Sequence, residues 1–248
     1  MEVHPPEHGI HSWRDFWVHL GTITVGLLIA IGLEQSVEAL HRVHERHTLQ
    51  RELRDEGLRN RETMRRDLER LALQRSALVA RRKDVDQMMR SGGKLKLEYR
   101  AIPDTGTIAL PSEATWDSAK ASGRVGLLPD VQTDIYSFLY LQDDWLRAQV
   151  DAWFASILEK TMFERRFEAQ FEESGQDSTP DLAQMSVDEL GQYSQILDRE
   201  ITQRDSVVGF LQYFAAVNEA VLDEAASQEE VIHKVDDAMK TRQAKGML

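Results

Sequence analysis

Residues 13–35, WRDFWVHLGTITVGLLIAIGLEQ, decide how the chain is read. No charged side chain falls between Leu20 and Leu33, and the polar atoms there are the hydroxyls of Thr22 and Thr24, which a helix can return to its own carbonyls. Counted from Phe16, the apolar run is about 18 residues, roughly 27 Å of helix and the short end of what crosses a bilayer. This predicts a single transmembrane helix over 16–35. A buried core helix and a cleaved signal peptide are the alternatives. The second needs a basic start and a small-residue cleavage site, whereas residues 1–15 hold one arginine and Glu34-Gln35 stand where the site would lie.

On either side of this run the sequence changes character. Residues 1–15 form a polar, histidine-containing tail with Pro5-Pro6 and Gly9, and Ser12 with Asp15 is an N-cap signal for the helix that follows. Trp13 and Trp17 stand one turn apart, the spacing of an aromatic belt at the headgroups. Within the run, Thr22, Gly26 and Ala30 recur every fourth residue. Small residues at that spacing let a second transmembrane helix approach, either a copy of this one or part of a larger membrane complex, although glycine and threonine are also simply common in such helices.

Composition bounds the remainder. The 248 residues are 42% hydrophobic, enough for a real core, and carry 30 Lys+Arg against 42 Asp+Glu, a net charge of −12. Nothing offsets phosphate charge, so nucleic acid is not expected as a partner. The absence of cysteine removes disulfides, thiolate metal sites and thiol nucleophiles. Six prolines and 14 glycines, gathered at a few junctions, leave long uninterrupted segments and predict an all-α chain.

From Glu34 to Arg90 no proline intervenes and the one glycine is Gly57. Leu49, Leu53, Met64, Leu68, Leu71, Leu78, Val85 and Met89 recur at three-, four- and seven-residue steps, the stripe of a helix packed on others. The transmembrane helix thus continues over 36–91 as a long amphipathic stalk, which Ser91-Gly92-Gly93 ends. Residues 92–128 read as an irregular linker, with an extended piece at Leu95–Tyr99 and a short helix opened near Ser112 and closed at Gly123. Pro129 suits the first position of the next helix. Residues 129–245 form a helical hairpin completing an antiparallel bundle. Its first arm, 129–173, carries Ile135, Leu139, Leu146, Val150, Trp153, Ile157, Phe163, Phe167 and Phe171 at helical intervals. After a turn at 174–181, Ser186 with Glu189 caps the second arm, whose inward face is Leu190, Tyr193, Leu197, Ile201, Val208, Leu211, Ala215 and Leu222. Ser227 with Glu230 repeats the signal, where the last helix either bends or begins anew.

The string ITVGLLIAIGLEQSVE (23–38), a long charged helix, and the W-x-x-A-x-x-S-G segment of Trp116, Ala119, Ser122 and Gly123 ahead of Leu128-Pro129 together resemble an uncharacterised family, a domain of unknown function, of bacterial single-pass membrane proteins. The resemblance implies an N-terminal span, a helical body and a bacterial inner membrane, and no activity. Basic residues precede the span in that family, which implies a body outside the cytoplasm; here Arg14 stands there. Arg42, Arg46 and Arg51 follow the span, and a positive-inside count alone would hold the body in the cytoplasm. Long translocated domains obey that count weakly, so the reading leans to a periplasmic body.

Signatures of catalysis are missing: no Gly-rich phosphate loop, no G-x-S-x-G elbow, no H-E-x-x-H. Seven of the eight histidines lie in the first 47 residues. Among them His41, His44 and His47 share a helical face that could hold Zn²⁺, Ni²⁺ or Cu²⁺, with Glu38 or Glu45 as oxygen ligand, against the plainer reading of interfacial imidazoles that touch headgroups. His19, one turn inside the run, faces a similar choice between ligating a tetrapyrrole and meeting a partner helix. Glu38 and His41 match one half of a di-iron carboxylate motif whose second half is absent. Asp143-Asp144 and Glu172-Glu173 read as solvated faces. Trp116, Tyr136, Tyr140, Trp145 and Trp153 are core aromatics, or else line a pocket. No cofactor is implied. The sequence therefore predicts a noncatalytic, membrane-anchored helical protein, a structural or accessory subunit that associates with itself or with a membrane complex. The alternative is a sensor-like bundle enclosing a small ligand beside Trp145 or Trp153.

Overall fold

The computed structural model describes residues 13–92, 108–167 and 180–244. The piece expected to be extended at Leu95–Tyr99, the tail histidines His4, His8 and His11, Phe171 and Glu172-Glu173 lie outside them. The described residues form an all-α protein without strands, of five helices: α1 (Trp13–Arg90), α2 (Ala114–Ala121), α3 (Asp130–Glu164), α4 (Val187–Leu222) and α5 (Gln228–Ala244). Two compact units divide within α1, Met1–Arg51 and Glu52–Leu248.

In the larger unit the helix ends follow local chemistry. Gly123, in the left-handed region at φ 74°, separates α2 from a short 3₁₀ turn at Arg124–Leu127. Pro129 stands one residue before α3, where its missing N–H costs nothing. Ser186 accepts from the Glu189 N–H while the Glu189 carboxylate accepts from the Ser186 N–H, a complete capping box; the Ser186 bonds hold that carboxyl below the usual range. Between α4 and α5 the chain turns through Glu224 at φ 56°, so a separate helix begins after Ser227, which caps it by accepting from the Glu230 N–H at 3.2 Å.

Three long segments pack antiparallel in turn. Along α1 and α4 the partners run in opposite directions: the Asn218 amide donates to the Gly57 carbonyl at 3.0 Å, Arg75 pairs with Asp205 at 2.6 Å, and Arg82 with Asp198 at 2.9 Å. Along α3 and α4, Glu159 meets Arg199 at 2.6 Å and Phe163 stacks on Tyr193 with ring centroids 5.6 Å apart. One end of the core joins Leu78, Val85 and Met88 of α1 to Phe163, Phe167, Leu190, Tyr193 and Leu197.

The expected stripes hold with small shifts. Met88 is buried where Met89 was expected, and in α4 Val207 and Ala216 turn fully inward in place of Val208 and Ala215. On α1 the difference is larger. Leu68 is only half-buried while Asp67 beside it is buried, so the inward face carries polar groups that an apolar stripe omits. Asp143, expected on a solvated face, is also buried; its carboxylate accepts from Arg147, which reaches Glu113 at 3.1 Å.

Two glycines predict opposite outcomes. A Cβ on Gly57 would stand 3.1 Å from Leu222 Cδ2 and 3.2 Å from Asn218 Oδ1, whereas one on Gly191 would meet nothing within 4 Å. Gly57→Leu should therefore lower unfolding stability by roughly 1–3 kcal/mol through overpacking. Gly191→Ala should raise it by about 0.5–1 kcal/mol through helix propensity. Thermal melts of the two variants followed by circular dichroism check both signs.

Candidate functional site

Every seventh residue of α1 from 60 to 81 is a buried polar side chain: Asn60, Asp67, Gln74 and Arg81. They alternate with Met64, Leu71, Leu78 and Val85, the 3.5-residue spacing by which one helix keeps one face toward its neighbours. Buried polar groups are tolerated only when bonded. Asn60, Asp67 and Gln74 find specific partners, which fall into two clusters.

The first cluster fastens residues 108–115 to α1. Asn60 acts as a second peptide group, its Oδ1 accepting from the Ser112 N–H at 2.8 Å while its Nδ2 donates to the Ser112 carbonyl at 2.9 Å. Asp67 accepts from the Ala109 N–H at 2.9 Å. Glu56, one turn before Asn60, accepts from the Thr115 N–H at 2.9 Å, the Ser112 hydroxyl at 3.1 Å and the Tyr140 hydroxyl at 2.7 Å. Glu113, at the N-cap of α2, makes no capping bond of its own. The cap comes instead from a carboxylate on another helix, which also faces the positive end of the α2 dipole. Trp116 stacks on Tyr136 and Tyr140, with centroids 5.9 and 5.7 Å away, and seals the cluster. Burial pushes the Asp67 and Asp143 carboxyls up in spite of their bonds.

The second cluster crosses the middle of the bundle. Arg204 of α4, wholly buried, donates to Gln74 Oε1 and, at 3.1 Å, to Glu200 Oε1; its guanidinium lies 4.9 Å from the Trp153 ring centroid. Lys160 of α3 stands 3.3 Å from Glu164 and 3.8 Å from Glu200, and the Tyr193 hydroxyl donates to Glu164. Two cations and two anions thus share one layer, joined to α1 through Gln74. Trp153 Nε1, Arg204 Nε and Glu200 Oε2 are buried without a hydrogen-bond partner. Burial pushes the Glu200 carboxyl up, against the pull of Lys160 and Arg204. The layer holds charge and register.

In the smaller unit the apolar run has a different environment. The described residues include one helix, α1, long and apolar enough to cross a membrane, and its apolar window is not buried at all. Leu27, Leu28, Ile29 and Leu33 are each about three-fifths exposed or more. Its hydroxyls are self-satisfied: Thr22 donates to the Val18 carbonyl at 2.9 Å and Thr24 to that of Leu20 at 2.8 Å. Trp13, Phe16 and Trp17 form a mutual ring cluster at its start, with centroids 5.4 to 6.0 Å apart.

Of the residues singled out from sequence, Thr22, Gly26 and Ala30 share an exposed face, and a Cβ on Gly26 would meet nothing within 4 Å. His19 is exposed. His41, His44 and His47 are exposed too, His41 bonded to Glu45 at 3.0 Å, and among the described residues no three His, Asp or Glu side chains are gathered as for a metal ion. Trp153 sits in solid core under Arg204. Trp145 is 59% exposed and borders a groove of about 530 Å³ that opens to solvent, in place of an enclosed pocket. Sequence reasoning missed Glu56, Asn60, Asp67, Lys160, Glu200 and Arg204; the signal for Asn60 and Asp67 was the seven-residue spacing of polar positions, to which Glu56 does not belong. No protein-family model matches the chain, and the comparisons with curated proteins and with solved structures likewise find no match.

The raised Glu200 carboxyl sets a pH dependence. A group whose pKa is higher folded than unfolded binds its proton more tightly in the native state. Its contribution is therefore neutral below the ordinary carboxylate range and becomes unfavourable as pH rises from that range through the raised value. Asp67 and Asp143 act in the same direction. The melting temperature of the body should therefore rise as pH falls from 8 toward about 5, just above the ordinary carboxylate range, and Glu200→Gln should flatten part of that rise. Melting temperature against pH for the two proteins is the measurement.

Proposed function

We propose that this chain is a noncatalytic, membrane-anchored helical protein whose apolar amino-terminal segment spans a bilayer once and whose helical body serves as a structural or accessory subunit. One observation carries the reading. Over 16–33 the apolar side chains stand outward while the backbone and hydroxyl groups are satisfied within the helix, the condition for life in lipid and not in water. The ring cluster of Trp13, Phe16 and Trp17 suits the headgroup boundary. The Thr22, Gly26 and Ala30 face is the surface by which the span would meet a second copy or a helix of a larger membrane complex. The resemblance of residues 23–38, the long charged helix and the Trp116–Gly123 segment to a bacterial single-pass family supports an inner-membrane location, and a short amino-terminal tail that is easily retained inside favours a periplasmic body.

Three experiments test the anchor, the assembly and the side of the membrane. The full-length chain should stay with the membrane pellet through an alkaline carbonate wash and leave it only with detergent; recovery in the supernatant removes the anchor. In mild detergent it should migrate well above monomer mass, with Gly26→Ile shifting it toward monomer, and a clean monomer in both proteins removes the assembly. Because the chain has no cysteine, a single exposed Ala226→Cys reports the side of the body: labelling of intact cells by a membrane-impermeant maleimide places it outside the cytoplasm.

A further inference from the structure

The groove beside Trp145 is a second feature that the anchor does not use. It lies in the larger unit between α3, α4 and α5, is open to solvent, and measures about 530 Å³, within the span of small-molecule sites. Three aromatic rings, Trp145, Phe210 and Tyr213, and the Met239 side chain form its walls, and Ser206 and Gly209 lie along its α4 side.

Gly209 is the telling residue. It falls inside a 36-residue helix, where glycine weakens the helix, yet its φ is ordinary and an added Cβ would meet nothing within 4 Å. Neither backbone conformation nor close packing requires glycine there, in contrast to Gly57, against which Leu222 and Asn218 are pressed. With Ser206 one turn earlier, it keeps the floor of the groove low.

Charge selects the occupant. No lysine or arginine lines the groove. The Asp236 carboxylate, exposed and in no ion pair among the described residues, stands on α5 one turn before Met239 and so at the groove's rim; burial raises the Tyr213 phenol, and Asp236 adds to the rise. Aromatic faces beside an unpaired carboxylate, on a chain of net charge −12, form the environment that attracts an organic cation through ring quadrupoles and field together. We propose that this groove is a binding site for a bulky apolar monocation, a quaternary ammonium or phosphonium type of molecule with an aromatic or alicyclic body. The inference goes beyond the anchoring role and stands independently of it.

The test uses the full-length chain in nanodiscs, with tetraphenylphosphonium as probe and its isosteric anion tetraphenylborate as control, read by equilibrium dialysis against empty discs. The phosphonium should bind saturably, and the borate more weakly by about tenfold or more. Gly209→Leu, which fills the floor and favours the helix, should weaken phosphonium binding by about tenfold or more while the melting temperature holds or rises. Asp236→Asn should narrow the preference for the cation. Equal phosphonium binding by the parent chain and Gly209→Leu overturns the site, and borate binding as tight as phosphonium overturns the class. If Gly209→Leu fails to fold, Trp145→Ala on the facing wall is held to the same threshold. A Gly209→Leu chain that binds phosphonium unchanged but loses assembly mass would assign the groove to a second copy and also overturn the proposal.

Discussion

A buried polar group must be bonded, and in the larger unit that rule fixes register. Asn60, Asp67, Gln74 and Arg81 lie on the inward side of α1, and a one-residue slip would strand them. An apolar seam slides at little cost, because one leucine contact resembles the next. Asn60 against the Ser112 peptide, or Gln74 against Arg204, has one geometry that satisfies both sides. Leaving a single buried donor or acceptor unpaired costs about 1–3 kcal/mol, a large part of the roughly 5–15 kcal/mol by which a domain is stable. The ionic layer of Arg204, Glu200, Lys160 and Glu164 adds little net stability by the same reasoning, since desolvation offsets most of the attraction. Its effect is discrimination: α1, α3 and α4 fit together in one alignment.

The carboxylate of Glu56 shows how far this logic reaches. The α2 helix is eight residues long, too short to persist by propensity, and its own N-cap residue makes no side-chain bond. Its start is fixed by a side chain more than fifty residues earlier, which also binds Tyr140 of α3. Three elements therefore meet at one oxygen pair, and α2 exists because α1 and α3 are already in place.

Much of this was legible in the residues and some was not. Helix limits follow local chemistry and were readable: Pro129, Gly123, and the Ser186 and Ser227 caps act within four residues of themselves. The apolar faces of α3 and α4 were readable to within one residue for the same reason. The inward polar row of α1 was hidden because a search for apolar periodicity discards asparagine, aspartate, glutamine and arginine, although their spacing of seven was on view. Asp143 and Arg204 were hidden for a deeper reason. An ion pair four residues away, Arg147 for Asp143 and Glu200 for Arg204, is equally at home on a solvated helix face; what buries them are the distant Glu113 beside Arg147, and Gln74 and Trp153 against Arg204, which no short window of sequence holds.

The two units also differ in what limits them, and magnitudes bear on the proposed anchor. Transferring a leucine or isoleucine side chain out of water is worth about 1.5–3 kcal/mol, so the outward apolar residues between Phe16 and Leu33 together outweigh the whole folding stability of an ordinary domain. A segment of that strength commits the chain to an apolar surrounding. Contacts between helices inside lipid are far weaker, on the order of 1–2 kcal/mol for a polar contact, because lipid tails compete on equal terms. On the proposed reading, the Thr22, Gly26 and Ala30 face would therefore act through closeness of approach, where packing is most sensitive to one added side chain, and not through its apolar area. If copies of this chain associate, Leu141, Phe154, Leu158 and Met162, exposed along α3, offer the body a second apolar surface whose burial would add to that of the span.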